Sequence, residues 1–123
     1  MYQKKLSTPV INVNNAINKY GTASLVSSEL EICNLKFDTE GRIIVFDIGN
    51  TTFANVYFPC GNNPDMRSKR ENYAAEILPQ LLINSKDTGV VGGDWNCIIS
   101  DADATKNAGQ RASKSLSRLV KTF

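Results

Sequence analysis

The chain has 123 residues, which is enough for one globular domain with a modest hydrophobic core. Hydrophobic residues make up 41% of it and charged residues 21%, and no apolar run is long enough to cross a bilayer, so we expect a folded protein without a membrane partner. The net charge of +2 does not require a polyanionic partner. Histidine is absent, which excludes a Ser-His-Asp or Cys-His nucleophile and the helical zinc-protease motif within this chain.

The cysteines Cys33, Cys60 and Cys97 are odd in number and widely spaced, and they form no Cys-x-x-Cys pair. This spacing predicts neither a zinc site nor a disulfide framework. Free thiols are typical of a reducing compartment, and the N-terminus shows no signal peptide. We therefore expect an intracellular protein, cytoplasmic or nuclear, that is not secreted.

The first half of the chain is typical of β-structure after an unpatterned start. Residues 1–20 show little periodicity and are predicted to be loop or a weakly ordered lead-in. Four short strands follow, predicted at 21–28, 31–37, 42–48 and 53–58. The third is almost continuously apolar, so both of its faces should be buried. Tight turns between them, with Asp and Gly in 38–41, indicate an antiparallel meander.

A helix is predicted next, at residues 67–84. Its apolar residues recur every three to four positions, as on one face of a helix: Tyr73, Ile77, Leu78, Leu81 and Leu82. Pro79 lies inside this run and should kink or split the helix, because its ring clashes with the preceding turn.

A buried strand is predicted at Val90 and Val91, then a loop, then an amphipathic helix that Ser113 or Ser115 would cap. From Lys106 onward the chain contains basic residues and no Asp or Glu. Such a segment either meets phosphates or forms a solvated helix face. The order of elements predicts a mixed α/β fold, of the α+β kind, with a mainly antiparallel sheet.

Asp94 and Asn96 directly follow the last strand, beside Gly92 and Gly93. Residues two apart in an extended segment face the same way, and glycines leave room for another molecule to approach. A carboxylate that aims a water and a carboxamide that holds a phosphate oxygen suit Mg²⁺-assisted phosphodiester hydrolysis. The alternative is a plain loop in which both side chains bind their own backbone.

The segment around these residues resembles the Gly-Asp-x-Asn motif of the endonuclease/exonuclease/phosphatase superfamily. The chain is most similar to the endonuclease domain of LINE-type (non-LTR) retrotransposon polyproteins, and the similarity runs in order from Gly21 to the end. The segments that carry it are "GTASLVSS" (21–28), "TEGRIIVFDI" (39–48), "NVYFP" (55–59), "ENYAAEILPQLL" (71–82), "GGDWN" (92–96) and the downstream "SDADATKN" and "SKSLSRLVKTF".

The resemblance implies a fold and an activity. Residues 21–123 would form the middle half of a four-layer α/β-sandwich, with helices outside two mostly antiparallel mixed sheets, after a lead-in at 1–20. The implied function is Mg²⁺-dependent nicking of DNA by a domain of retrotransposon origin. The metal-holding Glu and the catalytic His of that family find no match here, so we expect the chain to be inactive alone.

The resemblance also implies residue roles. Asp94 would orient or deprotonate the attacking water, Asn96 would hold the scissile phosphate and Tyr57 would donate to a phosphate oxygen. Asp94 is the candidate for Mg²⁺ among these residues. The expected contacts to DNA are made by Asn55, Arg42, Thr105 and Lys106. For Arg42, pairing with a neighbouring carboxylate that fixes the turn is the competing interpretation.

Two alternatives to the endonuclease remain open. The chain is either a catalytically dead remnant with at most weak nucleic-acid binding, or a phosphodiesterase or phosphatase of the same superfamily acting on a smaller substrate. In each case a partial domain would leave unpaired sheet edges, which predicts self-association.

Overall fold

The computed structural model describes residues 7–13, 21–103 and 112–122. It shows a mixed α/β protein with two sheets, whose assigned strand pairs are antiparallel, and few helices. The chain divides into two compact units: unit 1 comprises Met1–Val56 and Asn84–Gly93, and unit 2 comprises Tyr57–Ile83 and Asp94–Phe123. Among the described residues, no helix is both long and apolar enough to cross a membrane.

The strands form a two-stranded and a four-stranded sheet. The small sheet pairs β1 (Ser7–Val13) with β2 (Gly21–Ser27) in antiparallel register, from Ser7 opposite Ser27 to Val13 opposite Gly21. The larger sheet has the order β3-β4-β5-β6, with bounds Cys33–Phe37, Ile43–Ile48, Thr51–Tyr57 and Thr88–Asp94.

Strand β1 corrects the loop predicted for residues 1–20, which is wrong at Ser7–Val13. Its sequence carries a Pro and an Asn, so local preference alone does not favour a strand. The strand forms because β2 supplies a partner along its whole length and Val10 enters the core, where it is 6% exposed. Tertiary pairing overrides the local signal here.

The core of unit 1 is made by side chains of both sheets. Val10 of β1 and Val26 of β2 are buried with Ile44 and Phe46 of β4, and the Phe46 ring stacks on Phe53 at a centroid distance of 5.7 Å. Each such side chain contributes about 1.5–3 kcal/mol by leaving water. The burial predicted for both faces of the third strand is confirmed, since residues 43–47 are all buried.

The predicted turn at 38–41 is also confirmed, with Asp38 at its centre. Its carboxylate accepts hydrogen bonds from the backbone N–H groups of Glu40, Arg42 and Ile43, at 3.2, 2.7 and 2.8 Å. Gly41 has a φ of 78°, a conformation that costs glycine little. The turn therefore brings β3 and β4 together in antiparallel pairing.

Strand β6 exists where the sequence predicts one, but the burial predicted for it is wrong. Val90 is 49% exposed and Val91 is only partly buried. The strand is last in the sheet order, so it has a strand neighbour on one side only. The apolar run of β6 is therefore partly exposed, whereas the apolar run of β4, which lies between two strands, is buried.

Unit 2 contains the helical run, which has three segments: α1 (Pro64–Asn72), a π-helical turn (Tyr73–Ile77) and α2 (Leu78–Leu81). It begins at Pro64 rather than at residue 67, because the Asn63 side chain accepts from the Met66 N–H at 2.8 Å and caps the helix. The backbone stays helical where these segments meet, so Pro79 does not break the run, and the irregularity ahead of it is the π-helical turn. The N–H of Leu78 bonds back to the carbonyl of Tyr73, five residues earlier, just before the proline.

Aromatic rings form much of the core of unit 2. The buried Phe58 ring lies 5.7 Å from the ring of Tyr73 and meets the Trp95 ring edge-on at 5.2 Å. Leu116 of α3 (Lys114–Thr122) is 1% exposed. The cap predicted at Ser113 is confirmed, since its hydroxyl accepts from the Leu116 N–H at 3.0 Å.

Candidate functional site

Two hydrogen bonds join the end of β5 to the end of β6 within unit 2. The Phe58 N–H donates to the Asp94 carbonyl at 2.8 Å, and the Asn96 side-chain amide donates to the Phe58 carbonyl at 2.7 Å. Tyr57 precedes Phe58 directly. Two of the residues predicted to be catalytic, Asp94 and Asn96, therefore bond to the backbone of Phe58, and the third, Tyr57, is the neighbour of Phe58 in the chain.

The geometry of the Asp94–Asn96 turn differs from the extended segment that the sequence predicts. Asn96 has a φ of 49°, in the left-handed region, and its N–H donates to the Asp94 carboxylate at 3.0 Å. The chain bends directly after β6, so two-residue alternation does not set the direction of these side chains. The hydrogen bond from the Asn96 N–H to the Asp94 carboxylate is the kind of backbone contact expected of a plain loop. The Asp94 side chain is also exposed to solvent.

Gly93, in unit 1, is required by the chain's own backbone. A Cβ atom at this position would lie 2.0 Å from the carbonyl oxygen of Val56, and its φ of 136° disfavours other residues. At Gly92 a Cβ would meet nothing within 4 Å. The sequence predicts that both glycines leave space for another molecule. At Gly93 this space is occupied by the backbone of Val56 in the neighbouring strand.

A cleft of about 290 Å³ in unit 2 includes Asn96 in its lining. The other lining residues come from the α1 region, the turn after β6 and the start of α3: Asn62, Arg67, Arg70, Glu71, Cys97, Ala112, Ser113 and Lys114. We call this the Asn96 cleft. Its size is near the lower end for small-molecule sites, and it is open enough for a polar group such as a phosphate.

Arg70 and Glu71 are held by their surroundings at this cleft. The buried Arg70 guanidinium donates to the carbonyls of Pro59 and Gly61, at 3.0 and 2.5 Å, and so fixes the segment that follows Tyr57. Burial opposes ionisation of Glu71, but hydrogen bonds from Ser113 and Ser115 outweigh it and lower the pKa of the carboxyl. Glu71 is therefore ionised at neutral pH and accepts the Ser115 N–H at 3.1 Å.

Cys97 is half-buried in the same cleft. Burial raises the pKa of its thiol; Glu71 and Asp94 act in the same direction, while Arg70 opposes them. A thiol of raised pKa is neutral and weakly nucleophilic at pH 7. All three cysteines are free thiols.

Neither of the predicted DNA-contacting residues that the structure describes, Arg42 and Asn55, lines this cleft. Arg42 is 5% exposed and pairs with Glu40 at 3.1 Å, so the carboxylate pairing considered for it is confirmed. Asn55 donates to the Ala23 carbonyl at 3.0 Å. Thr105 and Lys106 lie outside the described residues. Contact of these four residues with nucleic acid stays a prediction.

The acidic residues do not gather into a full metal site. Within the described ranges 7–13, 21–103 and 112–122, no group of three or more His, Cys, Asp or Glu side chains is placed to hold a metal ion. Mg²⁺ requires six ligands in near-octahedral geometry, several of them water, with one or two carboxylates. Asp94 would supply one such carboxylate, and among the described residues it belongs to no cluster of three metal-ligating side chains.

Sequence reasoning did not single out Arg70, Glu71 or Ser113 as a linked group. Arg70 precedes the buried Tyr73 by three residues and so shares its helix face, which is the one signal that its side chain turns inward. The contact from Glu71 to Ser115 joins residues 44 apart and leaves no local signature.

A scan against protein-family models gives no match to this chain, and a search of curated proteins gives no significant similarity.

Proposed function

We propose that this chain carries part of the active site of a DNA-nicking phosphodiesterase of the endonuclease/exonuclease/phosphatase type, of retrotransposon origin. The observation that supports the proposal is the junction of β5 and β6, where the Phe58 backbone bonds to both Asp94 and Asn96. It joins Phe58, the residue after Tyr57, to Asp94, which is far from it in the sequence. The motif resemblance pairs these same two segments. The four-layer sandwich is part of this proposal.

In the proposed mechanism Asp94 is the base or orienting group for water. Its carboxylate is exposed and accepts one hydrogen bond from the Asn96 N–H, which leaves further lone pairs for a water proton. The turn that this bond closes holds the carboxylate beside the strand end. A positioned base of this kind contributes about 10²–10⁴-fold to a rate.

Asn96 and Tyr57 would act on the phosphate. A carboxamide has two N–H donors, and one of those of Asn96 is directed to the Phe58 carbonyl, which fixes the orientation of the group. The phenol of Tyr57 would donate to a non-bridging oxygen and stabilise charge that develops there.

The proposal includes Mg²⁺ dependence, which rests on the family resemblance. It also includes inactivity of the chain alone, since no His is present to protonate a leaving group or contact the phosphate. Binding of DNA without cleavage is therefore the expected behaviour of the 123-residue protein.

The first test measures binding of a short DNA duplex by fluorescence anisotropy, with and without Mg²⁺. We expect Tyr57→Phe to weaken binding about fivefold, the equivalent of one lost hydrogen bond. We expect Asp94→Asn to strengthen binding, because it removes a negative charge beside the phosphate. Ser68→Ala, on the exposed part of α1, is the matched control and should change nothing. Equal affinities for all four proteins would overturn the proposal.

The second test is nicking of supercoiled plasmid in the presence of Mg²⁺. We expect no nicking by the chain alone. Nicking that disappears in Asp94→Ala would uphold the site and show that the chain is active alone, contrary to expectation. Nicking that is equal in wild type and Asp94→Ala would contradict the role of Asp94.

A further inference from the structure

A second cleft of unit 2 lies directly beside the Asn96 cleft. It has a volume of about 270 Å³ and runs along the first two turns of α3. The two clefts share the lining residues Ala112, Ser113 and Lys114 and are therefore neighbours. Its remaining lining residues are Ile99, Ser117, Arg118 and Lys121.

The side chains of the two clefts are predominantly cationic. Among the described lining residues the charged groups are Arg67, Arg70, Lys114, Arg118, Lys121 and one carboxylate, Glu71. The charge of Glu71 is directed to the donors of Ser113 and Ser115, and the guanidinium of Arg70 is directed to backbone carbonyls. Four cations of the lining are exposed to solvent: Arg67, Lys114, Arg118 and Lys121.

Three of these cations form a line along α3. Lys114, Arg118 and Lys121 are spaced by four and three residues, which places them on one face of the helix. They span about 10 Å at 1.5 Å per residue. A DNA strand carries one phosphate about every 3.4 Å along the axis, so the line matches about three phosphates.

The other side of α3 faces the protein. Leu116, two residues from Lys114, is 1% exposed, and the Ser113 cap fixes the start of the helix against Glu71 of α1 through the Ser115 N–H. The cationic line is thus presented by a helix whose orientation is set within unit 2.

We propose that the cationic face formed by Arg67, Lys114, Arg118 and Lys121 binds the phosphate backbone of duplex DNA and leads one strand to Asn96. This inference rests on the proposed function and adds the surface that positions the substrate. The binding is electrostatic and independent of sequence, because the face carries point charges and no assembled set of base-reading groups.

The test compares two double variants of equal net charge in salt titrations of duplex DNA binding, without Mg²⁺. Lys114→Gln/Lys121→Gln removes two charges from the proposed face, and Lys36→Gln/Lys86→Gln removes two from unit 1. Each phosphate contact contributes about 0.9 to the slope of log affinity against log salt. We expect the slope to fall by about 1.8 in the first variant only. Raising salt from 50 to 200 mM should then weaken its binding about 12-fold less than that of wild type.

Each outcome decides the inference. An unchanged slope in Lys114→Gln/Lys121→Gln, or an equal fall in the Lys36→Gln/Lys86→Gln control, would overturn it. The inference would also be overturned if Lys114→Gln/Lys121→Gln lost binding to phosphatidylserine vesicles but kept DNA binding. Absence of DNA binding by the wild type would overturn it as well. Circular dichroism and urea unfolding establish that both variants are folded.

The outcome for this face is separable from that for the active site. If the slope is unchanged while Tyr57→Phe weakens binding, the cationic face is wrong and the proposed function stands. If the slope falls while Tyr57→Phe and Asp94→Asn have no effect, the face binds DNA and the proposed active site is wrong.

Discussion

At the scale of single residues, contacts that are remote in sequence decide what each side chain does. Gly92 and Gly93 are adjacent and chemically identical, yet only Gly93 lies against another backbone. Arg42 and Arg70 are both buried cations, and each is directed to a partner inside its own unit. The sequence shows the residue type, and the partner defines the role.

Replacement of Gly93 by Ala should destabilise the protein by about 2–4 kcal/mol, because the new Cβ meets the Val56 carbonyl and the φ is strained. Gly92→Ala is the matched control and should change the free energy of unfolding by less than about 1 kcal/mol. Urea unfolding monitored by Trp95 fluorescence measures both. Equal effects would show that the close approach of the two strands is absent in solution.

The Asp47 carboxylate should make stability depend on pH in the acid range. Hydrogen bonds from Thr52 at 2.6 Å and Asn34 at 2.8 Å lower its pKa below the ordinary value of 3.8, against the effect of burial. A lowered native pKa means that the contribution is fully present above the unfolded-state value and is lost as pH falls through the native one.

The measurement is the free energy of unfolding in urea from pH 7 to pH 2. We expect a decline that begins near pH 4 and continues below it, and a shallower decline in Asp47→Asn, which does not titrate at this position. Identical pH profiles for wild type and variant would contradict the lowered pKa.

At the scale of elements, helix ends are set by side chains just outside the periodic apolar pattern. The helical run starts at Asn63 and Pro64, before its first buried residue, and α3 starts at Ser113. The irregularity inside the run is a π-helical turn ahead of Pro79, which lets the chain change register before a residue that has no N–H to donate. Caps and prolines therefore define these helices more sharply than periodicity does.

Removal of the α1 cap in Asn63→Ala should cost about 1 kcal/mol, since the Met66 N–H loses its partner. Asn72→Ala tests the same chemical change at an exposed helical position whose side chain makes no capping bond, and it should cost less than about 0.5 kcal/mol. Thermal or urea unfolding distinguishes them. A larger effect at Asn72 would contradict the assigned helix start.

The Glu71 carboxylate links α1 to the first turn of α3, and its loss should affect both helices. Glu71→Ala leaves the Ser115 N–H and two serine hydroxyls without their acceptor, which we expect to cost about 1–3 kcal/mol. Glu76→Ala removes the same charge from an exposed position and should stay within about 0.5 kcal/mol. Amide hydrogen exchange in α3 should accelerate in the first variant only.

At the scale of the whole molecule, the order of elements was largely predictable. Tight turns with Asp38 and Gly41, a continuous apolar run in β4 and helical periodicity around Pro79 are local signals, and the structure has a turn, a buried strand and a helical run at these places. Strand β1 was missed and the exposure of β6 was misjudged, because both depend on which strands lie alongside.

The candidate site likewise has features that the sequence predicts and features that only the folded chain shows. The sequence by itself determined the residue types: Tyr57 at a strand end, Asp94 and Asn96 after another, no histidine, and a basic C-terminal segment. Only the tertiary structure decided that Phe58 bonds to both Asp94 and Asn96, that Gly93 packs on Val56, and that Lys114 joins two clefts. The reason is physical: local propensities and periodicity act over a few residues, whereas the contacts of Phe58 and Gly93 join groups more than 30 residues apart and form only when the chain folds.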